Sequence, residues 1–272
     1  MTNKQLSASI VLYRTSQDEL EGCLGSLRRF DPDIRLFLVD NSPTDELASM
    51  AVGQGVSYHH LPHNPGYGRA HNVAIRRSFD EGYAYHLVLN ADIHFQQDIL
   101  SPMLAYMDAN PAVGLMMPMV RNPDGSIQRL CKLLPTPADL LFRRFMPRAQ
   151  RERRNRRFEL HQSGYDRIMF VPYLSGCFML LRQSILHEVG GFDERFFMYG
   201  EDIDLSRRMA QKSDNMFFPD VSVTHAYGAA SYKSLKMLYI HAMNVSRYFN
   251  KWGWLADRER DAMNRSTLRQ FE

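Results

Sequence analysis

"SASIVLYRTSQDELEGCLGSLRRFDPDIRLFLVDNS", residues 7–42, is the stretch on which the fold turns. Residues 7–13 form a short apolar, β-branched run. Ser16 then offers a helix N-cap, and Leu20, Leu24 and Leu27 recur on one helical face. Residues 34–40 return to buried-strand composition and end on Asp40. A strand, an amphipathic helix and a second strand in so short a span are the unit of a doubly wound, mostly parallel α/β sheet.

Working outward, the alternation continues. "VSYHHL" (56–61) reads as a third strand, "GYGRAHNVAIRRSF" as a helix and "YHLVLN" (85–90) as a fourth strand. In such sheets a ligand sits beyond the C-terminal strand ends, where the strand order switches. Those ends carry Tyr13-Arg14, Asp40-Asn41, the Asn64-to-Asn72 loop and Asn90-Ala91-Asp92. Beyond residue 92 the pattern predicts a helix in "DILSPMLAYMDAN" and strands in "VGLMMPMV", "CFMLLR" and "NMFFPDVSVTH". It also predicts a hairpin at Asp124-Gly125 and a helix in "EDIDLSRRMAQK". The tail from about Lys233 to Trp252 has helical periodicity. Trp252 and Trp254 read either as exposed and able to pair subunits or as packed on the core.

The chain has 272 residues and a net charge of +3, but residues 143–157, "RRFMPRAQRERRNRR", carry +7 alone and leave −4 for the rest. A solvated, partly mobile loop is the plain reading of that segment. Its arginine density favours a phosphate-rich partner, and an anionic membrane surface suits it better than nucleic acid, because no nucleic-acid-binding signature surrounds it. Phe142, Phe145 and Met146 would enter the interface. No apolar run approaches the roughly 20 residues of a membrane span. Nor does the N-terminus have the architecture of a signal peptide. Three scattered cysteines argue against a disulfide framework. A reducing, cytoplasmic setting follows.

Four places can carry chemistry. "HNPGYGRAHN" (63–72) is a glycine-containing turn into a helix whose N–H groups, with Arg69, suit an anion. It has neither the Walker lysine nor the G-x-G-x-x-G spacing. Asp92, just past a strand, is a candidate ligand for a hard divalent cation, and a solvated loop aspartate is the plain alternative. His225 also follows a strand. "FFMYGEDIDLSRRM" (196–209) gathers Glu201, Asp202 and Asp204 at a helix start. The helix dipole alone would favour acids there.

Taken in order, "SIVLY", "VDNS", "NPGYGRAHN", "LNADI", "SGCFMLLR", "GGFDERFFMYGEDIDLSRR" and "VTHAYGAAS" resemble the family 2 glycosyltransferases of GT-A fold. More narrowly they resemble the bacterial rhamnosyltransferase branch that builds O-antigen and other surface polysaccharides. The likeness runs from about residue 7 to 252. It implies a GT-A domain over 1–232, with a nucleotide-binding half (1–95) and an acceptor half (96–232), followed by a helical extension over 233–272. Tyr13 and Asp40 would contact the base, and Asn64, Gly66, Arg69, Asn72 and Asn90 would line the donor pocket. Asp92 and His225 would hold Mg²⁺ or Mn²⁺, although Asn90 replaces the first acid of the family's D-x-D motif. Asp202 would be the catalytic base, with Glu201 positioning it. The implied reaction is an inverting transfer, L-rhamnose from dTDP-L-rhamnose foremost, to a polyprenyl-diphosphate-linked saccharide at the inner face of the membrane. The rivals are a UDP-hexose or UDP-galactofuranose donor, and a non-catalytic nucleotide-sugar-binding scaffold.

Overall fold

The computed structural model describes residues 5–51, 55–142, 146–226 and 235–272. The first half is β1 (Leu6–Leu12), α1 (Gln17–Phe30), β2 (Arg35–Asp40), β3 (Val56–His60), α2 (Tyr67–Asp80) and β4 (Tyr85–Leu89). Then follow β5 (Ile93–His94), α3 (Leu100–Ala109), β6 (Val113–Arg121), β7 (Cys131–Lys132), α4 (Pro137–Leu140) and α5 (Arg148–Phe158). The chain continues through β8 (Met169–Phe170), β9 (Tyr173–Leu174), β10 (Phe178–Arg182), α6 (Gln183–Val189), α7 (Glu201–Ala210) and β11 (Asp214–His225). It closes with α8 (Leu235–Trp252) and α9 (Arg258–Arg269).

The main sheet runs β3-β2-β1-β4-β10-β6-β11-β5, with β8 also on β11. Strands β1, β2, β3 and β4 are mutually parallel, and β6 is parallel to β11. The order switches at β1, whose neighbours are β2 on one side and β4 on the other. Strand β10 lies antiparallel between β4 and β6. Its start therefore meets the end of β4, with Phe178 opposite Leu89 and Asn90 N–H donating to Cys177 O at 2.9 Å. Antiparallel pairing of β5 with β11 puts His225 opposite Ile93, beside Asp92. These two pairings bring residues far apart in sequence to one end of the sheet.

Local chemistry makes the elements. Ser16 Oγ accepts from Glu19 N–H and starts α1, whose Leu20, Leu24 and Leu27 are buried. Strands β1, β2 and β4 are buried along nearly their whole length, on both faces. A buried polar chain ties α2 to the sheet: His86 lies 2.8 Å from both Ser7 Oγ and Ser9 Oγ, and His71 lies 2.7 Å from Ser9 Oγ. Asn122 N–H closes the predicted hairpin on Ser126 O, with Gly125 at positive φ.

Three expectations change. Residues 148–158 of the arginine-rich segment form a helix, not a loop; arginine favours helix, and Arg148 pairs with Glu152 one turn on. Residues 143–145, Phe145 among them, lie outside the described residues. The tail holds a second helix, α9. Trp252 packs on the core instead of standing exposed: its Nε1 donates to Asp204 Oδ1 (2.8 Å) and Arg207 lies 4.1 Å over its ring. Trp254 remains partly exposed, tilted against Phe249 at 5.2 Å. All three cysteines are free and buried. Among the described residues no helix is long and apolar enough to cross a membrane.

Candidate active site

Asp202 stands in the first turn of α7. Its Oδ2 accepts from Tyr173 Oη and from Gly176 N–H, each at 3.1 Å. Gly176 leaves room for this approach, since a Cβ there would come 3.1 Å from the Asp202 Cβ. Across Gly176, Tyr67 Oη donates to Gly176 O (2.7 Å) and lies 2.9 Å from Asn90 Oδ1. Burial, with Asp202 and Glu201 close by, keeps the phenols of Tyr67 and Tyr173 well above their usual range. Both therefore stay protonated and can donate at neutral pH. A chain of contacts thus runs from Asn90, next to Asp92, to the Asp202 carboxylate.

Glu201 is buried, and one of its oxygens, Oε2, has no hydrogen-bond partner among the described residues. Loss of solvent and the neighbouring Asp202 raise its pKa to about 8, so it is a neutral acid at pH 7. Asp204 has no exposed surface and accepts Arg208 Nε (2.8 Å), Lys251 Nζ (2.6 Å) and Trp252 Nε1 (2.8 Å). Of the three acids, Asp202 alone keeps a partly exposed carboxylate at this end of the sheet.

Asp92 Oδ1 and His225 Nε2 face each other at 3.1 Å. Gln128 fixes which imidazole nitrogen carries the proton. Its Nε2 donates to His225 O (2.9 Å) and Asn122 Oδ1 (2.7 Å), which leaves Oε1 for His225 Nδ1 at 2.9 Å. That Nδ1 must be the donor, so Nε2 is the nitrogen that His225 turns toward the Asp92 carboxylate. A ring nitrogen and a carboxylate oxygen this close are held together by a proton or a metal ion between them. Two cis ligands of a small octahedral cation at about 2.0–2.1 Å stand roughly 3.0 Å apart. Asp92 Oδ1 is buried and accepts no hydrogen bond among the described residues. The pair fits a divalent cation. No third His, Cys, Asp or Glu joins it among the described residues. Phosphate and water would have to complete the shell.

The remaining candidates are dispersed. Tyr13 is exposed at the end of β1. Asp40 is buried and accepts from Ser42 N–H (2.8 Å) and Tyr58 Oη (2.7 Å). Ser42 Oγ in turn accepts from Arg14 N–H (2.8 Å), holding that residue at φ 53°. Asn64, at φ 46°, caps Gly66 N–H, and Gly66 itself has φ 102°. A Cβ on Gly66 would lie 2.3 Å from Phe197 O, while Tyr67 N–H donates to the same oxygen at 2.9 Å. The "NPGYG" turn is therefore docked on the "FFMYG" segment, and only glycine fits. Asn72 is buried in α2. Its amide clasps Phe192 O (2.8 Å), Phe192 N–H (2.9 Å) and Glu194 (3.2 Å), holding the "GGFDE" turn. Arg69 pairs with Glu194 at 3.1 Å on the surface. Residues 228–230, the small residues after His225, lie outside the described residues. Tyr67, Tyr173 and Gln128 were not singled out in the sequence. Tyr67 lies within a quoted motif, whereas Tyr173 and Gln128 gain their roles from strand pairing and a hairpin.

The chain is similar to known proteins. The model for "Glycosyl transferase family 2" matches residues 7–190, and that for "N-terminal domain of galactosyltransferase" matches 156–231. The N-acetylglucosaminyl-diphospho-decaprenol L-rhamnosyltransferase of Mycobacterium tuberculosis is 30% identical over 207 residues, covering 71% of this chain and 66% of its own length. Rhamnosyltransferase WbbL of Escherichia coli K12 is 25% identical over 270 residues, covering 94% and 97%. The chain spans just under two thirds of the mycobacterial relative. In structure it resembles GalNAc-T7 solved with UDP, GalNAc and Mn²⁺, with a TM-score of 0.66 and 14% identity, over 91% of this chain and 48% of that one. The mostly parallel sheet with its flanking helices is thus the GT-A fold. With the family model spanning more than half of its length, the chain belongs to glycosyl transferase family 2 and has two rhamnosyltransferases among its relatives.

Proposed function

We propose that this glycosyltransferase moves L-rhamnose from dTDP-L-rhamnose, with inversion, onto a saccharide carried on a polyprenyl diphosphate. One observation carries the reading: Asp202 is held by Tyr173 and Gly176 at the end of a contact chain that begins beside the Asp92–His225 pair. An inverting displacement needs a base on the acceptor hydroxyl, on the face opposite the departing nucleoside diphosphate. In this reading Asp202 takes that proton. Asp92 and His225 would hold Mg²⁺ or Mn²⁺, which neutralises charge on the leaving diphosphate. Neutral Glu201 keeps a second negative charge out of the pocket and leaves Asp202 as the carboxylate that meets the acceptor.

The relatives support the chemistry and the acceptor class, since the name of the mycobacterial protein specifies a diphospho-decaprenol acceptor and L-rhamnose. The arginine-rich segment, with exposed Phe142 beside it, supports peripheral attachment to an anionic membrane surface, which we propose is the inner face of the membrane. Thermal stabilisation across dTDP-, UDP- and GDP-sugars, with and without Mn²⁺, tests the donor. Selective stabilisation by dTDP-L-rhamnose, enhanced by Mn²⁺ and lost in Asp92→Ala, is expected. A preference for UDP-sugars overturns the rhamnose assignment, and no response to any nucleotide overturns the enzyme reading for this site.

A further inference from the structure

Between α5 and α9 lies a cavity of about 640 Å³. Leu133, Leu134, Phe158 and Leu268 give it an apolar floor; Arg153, Arg154, Arg157 and Arg265 stand around it. Two carboxylates also face it, and both are taken. Asp139 binds Arg154 Nε at 2.6 Å and caps Thr136, and Asp261 lies 3.2 Å from Arg260 Nε. Among the described residues, Arg153, Arg157 and Arg265 have no carboxylate within ion-pair distance.

The surplus is costly to the helix that carries it. Arg153 and Arg157 are one turn apart, as are Arg154 and Arg157, and like charges at that spacing repel. Only Phe158 of α5 is buried, so packing does little to offset this. Three guanidinium forks over an apolar floor are a match for a phosphate attached to hydrocarbon: bidentate donors for the oxygens, leucine and phenylalanine for the chain. The cavity has the volume of a small-molecule site and exceeds what a diphosphate alone fills. It also connects to the chemistry. Leu133 follows Lys132, whose Nζ lies 5.4 Å over the Tyr173 ring, and Tyr173 donates to Asp202.

We propose that this cavity binds the phosphorylated end of a lipid, a phosphate or diphosphate carried on a hydrocarbon chain. Both the acceptor proposed above and an anionic membrane lipid offer that chemistry; only the choice between them rests on the acceptor reading. The test uses the full chain in EDTA, so that the Asp92–His225 pair does not compete for diphosphate. Farnesyl diphosphate, inorganic pyrophosphate and phosphatidylglycerol vesicles are titrated against wild type and the Arg153→Gln/Arg265→Gln double variant, both exposed positions. Farnesyl diphosphate or the vesicles should bind wild type about tenfold or more tighter than the variant. Tighter binding of farnesyl diphosphate assigns the acceptor, and tighter binding of vesicles assigns a membrane lipid. Stabilisation by nucleotide with Mn²⁺, measured in parallel, should be unchanged in the variant, which separates failure of this site from failure of the donor reading. Binding that survives the double substitution, pyrophosphate binding as tight as farnesyl diphosphate, or no binding at all overturns the proposal.

Discussion

Asp204 lies fully buried against α8, taking Arg208, Lys251 and Trp252, while Asp202 two residues earlier reaches Tyr173 and Glu201 sits desolvated between site and core. At this scale pH behaviour separates the three. The Glu201 pKa rises from 4.5 to about 8 on folding, so the folded state holds a proton that the unfolded state releases between those values. Stability from this group is therefore full below about pH 4.5 and is lost as pH rises toward 8. Glu201→Gln imitates the protonated acid. Its melting temperature relative to wild type should climb across that window, and a flat difference would place a charged Glu201 in the folded protein. Gln128 acts at the same scale through His225. Gln128→Leu removes the acceptor for Nδ1–H and should weaken Mn²⁺ binding, measured by titration calorimetry or EPR, about 10–100-fold with little loss of fold.

Helix α7 carries Asp202 on one side and Arg207 on the other, and Arg207 decides where the helix sits. The guanidinium is buried, bidentate to Asp257 at 2.6 and 2.8 Å, bonded to Glu259 at 2.8 Å, and stacked on Trp252. Asp257 is also the N-cap of α9, through Arg260 N–H. One ion pair thus joins the helix bearing the candidate base to both helices of the extension. Asp257→Ala leaves a buried cation uncompensated and should cost about 3–5 kcal/mol in urea unfolding. A loss below about 1 kcal/mol would mean the extension is not docked through this pair.

The whole molecule shows which parts of such a sheet are legible in sequence. The strand-helix-strand alternation of residues 7–90 gave β1 through β4 because buried parallel strands and amphipathic helices have distinct periods. Strands β5, β7, β8 and β9 have two residues each, too few for any period, and exist only through their partners. Yet β9 delivers Tyr173 and β5 brings Asp92 to His225. Asp92, His225 and Asp202 are legible as polar residues at strand ends and a helix start, whereas the hold of Asn72 on the Phe192 backbone, 120 residues away, has no signal in sequence. The arginine-rich helix has no apolar stripe to mark it. Its charge says what it attracts better than what shape it takes.

Whether Asp202 is the proton acceptor of an inverting transfer is tested by substituting it and following turnover. Rhamnosyl transfer to a lipid-diphosphate saccharide is followed with wild type and Asp202→Asn, alongside donor affinity and the anomeric configuration of the product. The account predicts an inverted product from wild type. For the variant it predicts turnover reduced about 10²–10⁴-fold, the range of a lost general base, with donor affinity within about threefold of wild type. Near-normal turnover by Asp202→Asn, or a product with retained configuration, would contradict it.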